Sequence, residues 1–558
     1  MSNFSQEEFD QALRNCETEP IHQIGQIQPH GAMLVLSSDS QRIVLQASKN
    51  LNEFFDLYVD DVCDKPLAEL IGDKQAEQIE QLIQEANVNN AVTGEVNLTY
   101  GQVKSNLQAR VFCSGNMFVL ELMRSVDTFQ AKHLTDLLLP LQRSLMSLNT
   151  ENDTYRYFER IASIVRDLAE FDRVMVYRFD MNWEGEVIAE SKVESAHSYL
   201  GTHFPASDIP PQARQLYIIN PVRQIADTEA KPVPVLPALS PVTQQPLDMT
   251  YSVIRSLSPV HVEYLRNMGV RASMSISLLQ NGRLWGLIAC HHNTPKRLSN
   301  ALLEAAAFIS QVVSAKLTLI EFLERQNLGM GASRIIGELL KNITSDSEES
   351  VLQGLLPDLL VLLDASGVIM VVEGKHYVHG DVPEPDAAHE LIAWLGRQSS
   401  NGLFSCDHLE KQFAPAGAYT NIASGLLATP LSTEMSNCIL WLRKEKIRTV
   451  HWAGNPEKIF LRDPAGIRLS PRKSFESWTE SCRGQSNSWT QVEIETARSI
   501  ALGLTEGLSQ KSKLDKEKIK LKAAEEALGE SHKQTLSALA ELEYQKFALD
   551  QCFVTIKS

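Results

Sequence analysis

Residues 272–292, ASMSISLLQNGRLWGLIACHH, carry the strongest structural signal in the sequence, because small or polar residues alternate with apolar ones around a turn. The alternation predicts two antiparallel strands joined at Asn281–Gly282, with Ser273 and Ser275 on one face. A two-residue loop would put His291 on the opposite face, whereas a three-residue loop would put it beside Ser273. We expect the three-residue loop, and therefore one face that carries both serines and His291.

A metal site at the end of this hairpin is not expected. Cys290, His291 and His292 are consecutive, and neighbouring residues of a strand point to opposite faces. At most two of the three could converge on one ion, which is too few for a closed metal site.

The strand RVMVYRF, residues 173–179, is predicted to belong to a sheet of the same domain. Its alternation places Met175, Tyr177 and Phe179 together on one face. Taken alone, the pattern is typical of an ordinary sheet core.

Asp208 lies between two proline-rich turns in HFPASDIPPQARQLY, residues 203–217. Prolines restrict the backbone there, so that a backbone carbonyl can be held pointing into a cavity. Taken alone, Asp208 is expected to cap the N-terminus of a helix.

A second polar group falls between residues 252 and 270, where Arg255, His261 and Tyr264 occur close together, with Arg223 upstream. A lone histidine among apolar residues usually belongs to the core. Two arginines, a histidine, tyrosines and a strand of hydroxyls together favour a pocket for an anionic, aromatic ligand.

The composition indicates a folded chain of several domains, with 558 residues, 43% of them apolar and 22% charged. The formal charge of -17 opposes binding to nucleic acid or to an anionic membrane surface. The most apolar stretch, roughly residues 355–372, contains Asp358, Asp364 and Gly367 and is expected to be buried rather than membrane-spanning. Eight cysteines without a C-x-x-C spacing, and a start without a signal peptide, predict a cytoplasmic protein with reduced thiols.

The order of helical and strand patterns predicts an α+β architecture of three domains, each an antiparallel sheet with flanking helices. The segment KPVPVLPALSPVTQQP, residues 231–246, should be neither a helix nor a central strand. A long helix is expected from Leu298 to about Ile343. The expected domains are residues 1–125, 126–320 and 321–505, followed by a coiled-coil segment over 506–558.

A heptad pattern supports the coiled coil, because apolar residues recur every seven positions along a helix-forming segment. The complementary seam (Glu517, Ala524, Ser531, Ala538 and Gln545) is weak, which predicts a labile parallel homodimer with a soft register. The repeating positions are Leu514, Leu521, Leu528, Thr535, Leu542 and Leu549.

Several separated motifs, in this order along the chain, together resemble a bacteriophytochrome. They are Cys16, PHGAMLVL (29–36), MVYRFD (175–180), FPASDIP (204–210), the stretch from Arg255 to Tyr264, WGLIACHH (285–292) and PRKSF (471–475). The resemblance implies the PAS, GAF and PHY domains of that family's photosensory module. Within the family the chain most resembles members that carry a diguanylate cyclase.

The resemblance implies biliverdin as chromophore, bound by a thioether from Cys16. Families that bind reduced bilins carry a cysteine directly before the pocket histidine, where this chain has Val260, and this departure favours Cys16. An exposed thiol near a loop could reach a vinyl group, whereas a buried one such as Cys290 should be inert.

The family pattern also implies a role for each pocket residue. The Asp208 carbonyl and His261 would surround the pyrrole nitrogens, and His291 would bond the D-ring carbonyl. Arg223, Tyr217 and Arg255 would hold one propionate, and Ser273 and Ser275 the other. The D-ring wall would consist of Met175, Tyr177, Tyr199, Phe204 and Tyr264.

Residues 452–489 resemble the family's tongue, in which Arg472 would pair with Asp208 in the dark form. Pro471 and Phe475 belong to the same PRKSF motif, and Ser474 would replace Arg472 when the tongue changes from hairpin to helix. Ala453 departs from the Trp-Gly-Gly usual in this family, and an alanine disfavours a left-handed backbone. The family pattern further implies that the segment bearing Cys16 is threaded through the loop 231–246.

No catalytic motif is found in the chain, so we expect a sensor without enzymatic activity and without its effector domain. Family members end in an output domain such as a histidine kinase or a diguanylate cyclase. The alternative is therefore the regulatory part of a light-controlled enzyme. A protein of the same fold that binds no bilin is a third hypothesis.

Overall fold

The computed structural model describes residues 18–86, 91–100, 103–124, 134–148, 151, 153–343, 347–398, 402–432, 435–455, 459–463, 466–470 and 472–556. Cys16 and Pro471 lie outside the described residues. Two units are distinguished. The first unit comprises residues 1–320 and 449–481, and the second unit comprises residues 321–448 and 482–558.

The first unit begins with an antiparallel sheet of seven strands packed against short helices. The apolar faces of the strands and helices form one core, which includes Leu34, Phe54, Ile79 and Leu120. The helices span Lys49–Leu51 (a 3-10 turn), Asn52–Phe55, Val59–Val62, Leu67–Ile71 and Asp73–Glu85. In spatial order the strands are Gln26–Ile27, Val233–Leu236, Val44–Ser48, Gly31–Ser37, Met117–Arg124, Val103–Ser114 and Ala91–Tyr100.

The proline-rich loop contributes a strand to this sheet, so the prediction that residues 231–246 hold no central strand is wrong. Val233–Leu236 lies between Gln26–Ile27 and Val44–Ser48. Pro234 pairs only with Gln26, and pairing with the other neighbour begins at Val235. A proline has no backbone N–H and cannot donate to either neighbouring strand. Pro234 is tolerated because only one of its two neighbours pairs with it.

The second sheet of the first unit has eight strands and carries most of the predicted site residues. One pair, between residues 202–203 and 451–452, is parallel rather than antiparallel. The helices span Leu134–Ser147, Thr154–Ala169, Ala206–Asp208 (a 3-10 turn), Pro211–Ile219, Pro259–Asn267 and Asn300–Asn342, which continues into the second unit. In spatial order the strands are Val222–Ile225, Ala272–Gln280, Arg283–His292, Arg173–Phe179, Gly185–Lys192, Thr202–Phe204, Arg448–Ala453 and Ser477–Cys482.

The strand Arg173–Phe179 separates two apolar clusters, as its alternation predicts. Val174 and Val176 belong to the core packed against the helices, whereas Met175 and Tyr177 belong to the cluster on the other face. A separate two-stranded hairpin joins Ile459–Asp463 to Gly466–Ser470.

The hairpin between residues 272 and 292 has a two-residue loop, so the predicted three-residue loop is wrong. Gln280 pairs with Arg283, and both loop residues have positive φ, 50° at Asn281 and 76° at Gly282. A bulge follows at Trp285, and beyond it Ser273 faces His291 directly. The extra residue restores the face that the loop alone would have reversed, so the predicted common face of Ser273, Ser275 and His291 is confirmed.

The second unit contains an antiparallel sheet of five strands between helices, which agrees with the predicted α+β architecture. Its core includes Leu352, Leu356, Val368 and Trp441. The helices are the end of Asn300–Asn342, then Glu348–Leu362, Pro385–Gln398, Leu409–Gln412, Ala414–Tyr419 (a 3-10 helix) and Gln491–Ile556. In spatial order the strands are Lys375–Gly380, Gly367–Val372, Cys438–Arg443, Gly425–Pro430 and Phe404–Cys406.

The helix Gln491–Ile556 contains the predicted coiled-coil seam. The five seam leucines are 42% to 73% exposed in the single chain. An apolar stripe of this kind on a long helix is available for pairing with another helix.

The helix Asn300–Asn342 is long and apolar enough, by length and composition alone, to cross a membrane. The sequence analysis considered only residues 355–372 for this role. One such helix is weak evidence, since core helices of soluble proteins pass the same test. Ile309 and Val313 pack in the core of the first unit, and Ile335 and Leu339 pack in the core of the second.

We predict that Gly286→Ala destabilises the first unit. A Cβ atom at Gly286 would lie 2.3 Å from the backbone oxygen of Tyr177 on the adjacent strand. Two paired strands cannot separate locally, so we expect a loss of about 1–3 kcal/mol in the free energy of unfolding, measured by thermal unfolding. Gly529→Ala is the control, because its Cβ would meet open space in a helix. Melting of Gly286→Ala at the wild-type temperature would contradict this packing.

Candidate functional site

The site is a cavity of about 230 Å³ within the first unit, compared with the roughly 10–15 Å³ that a single water molecule requires. Its walls include residues from six strands of the eight-stranded sheet, from the helices Pro211–Ile219 and Pro259–Asn267, and two residues of the tongue, Ser470 and Arg472. The predicted site residues that line it are Met175, Tyr177, Phe204, Asp208, Tyr217, Arg223, Arg255, His261, Tyr264, Ser273, Ser275, His291 and Arg472.

Of the predicted site residues that the structure describes, three do not line the cavity. Tyr199 is buried behind Phe204, with ring centroids 5.8 Å apart. Phe475 packs edge-on against Tyr264 at 5.2 Å, and Ser474 is exposed.

Asp208 ends the 3-10 turn Ala206–Asp208 and caps no helix, so the helix-cap interpretation is wrong. The next helix begins at Pro211, after Pro210 at its N-cap position. Asp208 Oδ2 instead accepts hydrogen bonds from Tyr264 Oη at 3.0 Å and from Arg472 Nη2. Burial raises the pKa of the Asp208 carboxyl, while the charge of Arg472 and both hydrogen bonds act in the opposite direction.

The tongue is fixed around Arg472 by backbone contacts. Arg472 Nη1 donates to the carbonyl oxygen of Ala453 at 2.5 Å, and Asn267 Nδ2 donates to the carbonyl oxygen of Arg472 at 2.9 Å. Ala453 is buried and does not have positive φ, whereas Gly454 has φ of 83°. The left-handed position therefore falls on the glycine, and Ala453 imposes no backbone strain here.

Arg223 and Arg255 bring positive charge to the cavity, and the acids that act on them, Glu121 and Asp248, do so from a distance. Among the described residues, neither has a carboxylate oxygen within 4.0 Å of its nitrogens. Arg255 is 4% exposed and donates to the carbonyl oxygen of Met249 at 3.0 Å, and Arg223 donates to that of Arg255 at 3.0 Å. Burial, and then the charge of Arg223, lower the pKa of Arg255 to about 8.

Hydroxyl groups lie beside these arginines because of the strand register. Arg223 pairs with Ser275, and Ile225 pairs with Ser273. Tyr217, on the helix Pro211–Ile219, lines the same cavity. The sheet thus places two serines and a guanidinium at the cavity, and the helix Pro211–Ile219 adds a tyrosine.

Both cavity histidines are held in the neutral form. Burial, and then the charge of Arg223, lower the pKa of His261 to about 4. Burial, and then Arg173, lower the pKa of His291 to about 3. His261 stacks on Tyr264, with ring centroids 6.2 Å apart and planes 10° from parallel.

Aromatic rings form the apolar wall. Tyr177 lies 5.7 Å from Phe204 and 5.2 Å from Phe179, measured between ring centroids. A Cβ atom at Gly185 would overlap the phenol ring of Tyr177. The absence of a side chain at Gly185 therefore sets the position of the Tyr177 ring.

The sequence analysis missed lining residues such as Glu19 and Ile21, and also Gly185 and Arg173, which support the site without lining it. Arg173 Nη2 lies 3.1 Å from His291 Nδ1. Alternation along 173–179 puts Arg173 on the same face as Met175 and Tyr177, and this signal could have identified it. No signal in the sequence reveals Gly185, because its role depends on the rotamer of Tyr177.

The N-terminal segment reaches the cavity at Glu19 and Ile21, which line it. Glu19 Oε2 accepts a hydrogen bond from Ser258 Oγ at 3.0 Å. Cys16 precedes Glu19 by three residues, and three extended residues span at most about 10–11 Å.

The donor set fits an anionic ligand that is largely apolar and contains hydrogen-bonding atoms. Unpaired guanidiniums favour carboxylates, and neutral imidazoles can bond oxygen or nitrogen atoms of a conjugated ring system. The aromatic wall favours a flat, apolar body.

Three family models match the chain in succession. They are PAS fold over residues 16–123, GAF domain over 153–317 and phytochrome region over 332–513. The matched domains are sensory rather than catalytic.

Curated relatives match most of the chain. Cyanobacterial phytochrome B of Nostoc is 35% identical over 506 residues, covering 89% of this chain and 66% of the relative. A bacteriophytochrome of Pseudomonas aeruginosa is 34% identical, with coverages of 88% and 66%. A bacteriophytochrome of Xanthomonas campestris is 32% identical, with coverages of 87% and 77%. The chain spans about two thirds of the length of the first two.

Solved structures agree in fold and in length. A bacteriophytochrome from R. palustris superposes with a TM-score of 0.78 at 32% identity, covering 89% of this chain and 99% of that structure. The photosensory core module of the Stigmatella aurantiaca phytochrome also has a TM-score of 0.78, at 35% identity, with coverages of 89% and 98%. This chain belongs to the bacteriophytochrome family.

Proposed function

We propose that this chain is a red/far-red light sensor that binds biliverdin in the cavity of the first unit. The observation that carries the proposal is the pair of arginines at the cavity, Arg223 and Arg255, which have no carboxylate within 4.0 Å among the described residues. A buried cation is costly unless it is paired, and a ligand with two propionates supplies such partners.

The proposed attachment point is Cys16, through a thioether. Glu19 lines the cavity three residues further along the chain, within the reach of an extended segment. Val260 also lines the cavity and has no thiol, which leaves the N-terminal segment to supply the covalent bond.

The proposed contacts follow from the chemistry of each side chain. Arg223, Arg255 and Tyr217 would bind one propionate, and Ser273 and Ser275 would donate hydrogen bonds to the other. The Asp208 carbonyl and His261 would bond the pyrrole nitrogens, and His291 would donate to the D-ring carbonyl. Met175, Tyr177, Phe204 and Tyr264 would surround the D-ring, with Tyr199 supporting Phe204 from behind.

Biliverdin, when bound, would supply absorption of red light and isomerisation at the methine bridge of its D-ring. The protein would respond where the aromatic wall meets the tongue, because Tyr264 contacts both Asp208 and Phe475. Release of Arg472 from Asp208 would free the tongue, and Ser474 would take its place in the other state. Pro471, next to Arg472, is proposed to belong to the same switch. Two packings that differ by a few kcal/mol suit such a switch.

The signal would leave through the helix Gln491–Ile556, in a homodimer paired along its leucines. An output domain would receive it, either a diguanylate cyclase or a histidine kinase, and the chain itself would perform no catalysis. We propose the cytoplasm as its location, without nucleic-acid or membrane partners. The proposed domains are residues 1–125, 126–320 and 321–505, with the coiled coil over 506–558.

Biliverdin mixed with the purified chain should form an adduct that survives denaturation, together with a reversible red/far-red difference spectrum. Cys16→Ala should lose the adduct, as measured by intact mass, because the nucleophile is gone. Cys63→Ala, which removes another cysteine of the N-terminal domain, should keep it. An adduct that persists in Cys16→Ala would assign the bond to another cysteine, and no spectral change on illumination would overturn the proposed function.

Arg472→Gln should loosen the tongue. Removing one partner of a buried ion pair costs roughly 3–5 kcal/mol, and side-chain exposure is only 7% for Arg472 and 12% for Asp208. We expect hydrogen exchange at residues 449–454 and 472–481 to accelerate by about 100-fold or more. Lys473→Gln is the matched control, since Lys473 is exposed. Equal exchange rates in the two variants would show that the pair does not hold the tongue.

The chain without ligand should lose stability as the pH falls from 6.5 towards 4. His261 and His291 have folded pKa values of about 4 and about 3. In this window the unfolded histidines bind protons that the folded ones do not, so stability rises with pH. The raised pKa of Asp208 has the opposite effect on stability, because the folded carboxyl binds a proton more readily than the unfolded one. This effect is confined to pH values near the pKa of Asp208.

Each histidine adds up to about 1.4 kcal/mol per pH unit to this slope. His261→Gln should therefore flatten the dependence of urea unfolding on pH, whereas His532→Gln, on the exposed C-terminal helix, should leave it unchanged. The same slope in both variants would mean that His261 is not buried in its neutral form.

A further inference from the structure

Arg173, which does not line the cavity, makes a direct contact with His291, which does. The two residues are paired across adjacent strands, and Arg173 Nη2 lies 3.1 Å from His291 Nδ1. Arg173 is 7% exposed and His291 is 8% exposed, so water does not compete for this contact.

The chemistry of the two groups fixes the direction of the hydrogen bond. A guanidinium has only donors and stays protonated, so Nδ1 of His291 must accept. A neutral imidazole that accepts at Nδ1 carries its proton on Nε2. His291 lines the cavity and can therefore offer an N–H donor to a ligand, but no acceptor at that nitrogen.

Arg173 is itself held in place by other groups. Arg173 Nη1 donates to the carbonyl oxygen of His197 at 2.9 Å, and its guanidinium lies 4.4 Å from the ring centroid of Tyr199. Tyr199 is fixed in turn, because its backbone N–H donates to Glu190 Oε1 at 3.0 Å. The hydrogen bond to His197 and the contact with the Tyr199 ring thus hold the Arg173 side chain in its position beside His291.

We infer that Arg173 is a positioning residue that holds His291 as the Nε2–H tautomer, so that the cavity presents a hydrogen-bond donor to a carbonyl oxygen of the ligand. This inference rests on the proposed function for the identity of the ligand. The tautomer itself follows from the two side chains and can be measured without any ligand.

The first test needs no substitution at Arg173. The full chain, labelled with ¹⁵N-histidine and free of bilin, should show His291 as one neutral form protonated at Nε2, because a charge-assisted hydrogen bond biases the two tautomers by about tenfold or more. His291→Gln assigns the signal. A wild-type His291 protonated at Nδ1 would overturn the inference.

The second test removes the donor. Arg173→Met should convert the single form into a mixture of tautomers, and Arg173→Lys should restore the Nε2–H form, since an ammonium group also only donates. Lys192→Met is the matched control. Lys192 pairs with Arg173 on the opposite strand, so the variant removes the same charge without touching His291. A single Nε2–H form in a folded Arg173→Met would overturn the inference. If Arg173→Met does not fold, Arg173→Lys decides the question, because loss of the Nε2–H form in that variant would overturn the inference.

The third test separates this inference from the proposed function. With biliverdin bound, Arg173→Met should shift or broaden the red absorption band, whereas Arg173→Lys and Lys192→Met should resemble the wild type. Failure of the wild type to bind biliverdin would end the proposed function but leave the tautomer result standing. An unchanged band in Arg173→Met would show that the tautomer does not govern the ligand contact.

Discussion

Positive charge around one cavity, balanced only by carboxylates that are too distant to form ion pairs, is the constraint on which the site depends. Arg173 and Arg255 are buried and Arg223 lines the cavity, and among the described residues none has a carboxylate within 4.0 Å. Backbone carbonyls accept their hydrogen bonds but do not neutralise their charge. Such charge repels further protons, which helps to keep His261 and His291 neutral, and it leaves the cavity selective for anions.

The carboxylates that line the cavity are already engaged. Asp208 accepts hydrogen bonds from Arg472 and Tyr264, and Glu19 accepts one from Ser258. The tongue therefore occupies the Asp208 carboxylate, an acid that lines the cavity. The attachment of the tongue and the wall of the cavity share residues, because Asp208, Arg472 and Tyr264 all line the cavity.

The strand register decides which groups meet. A shift of one residue turns a whole strand to its other face, and two irregularities act within a few residues of each other in the hairpin 272–292. The two-residue loop would have sent His291 away from Ser273, and the bulge at Trp285 brings it back. His291 then lies between Ser273 and Arg173, its partners on the two neighbouring strands.

The sequence by itself determined the α+β architecture, the two faces of the strand 173–179, the long helices and most of the charged and aromatic residues of the cavity. Alternation and helical spacing are local properties, and the motifs stand in an order that identifies the family. The sequence did not determine the loop of the hairpin, the strand formed at Pro234, the real partners of Asp208 or the placement of Tyr199 behind the wall.

Only the tertiary structure decided those features, because each depends on a contact between distant segments. The bulge at Trp285 exists only as a feature of two paired strands. Pro234 is tolerated only because the strand Val44–Ser48 does not pair with it. Gly185 matters only because the ring of Tyr177 lies over it. The sequence specifies which side chains can donate or accept hydrogen bonds, but the packing of the folded chain decides which donor meets which acceptor.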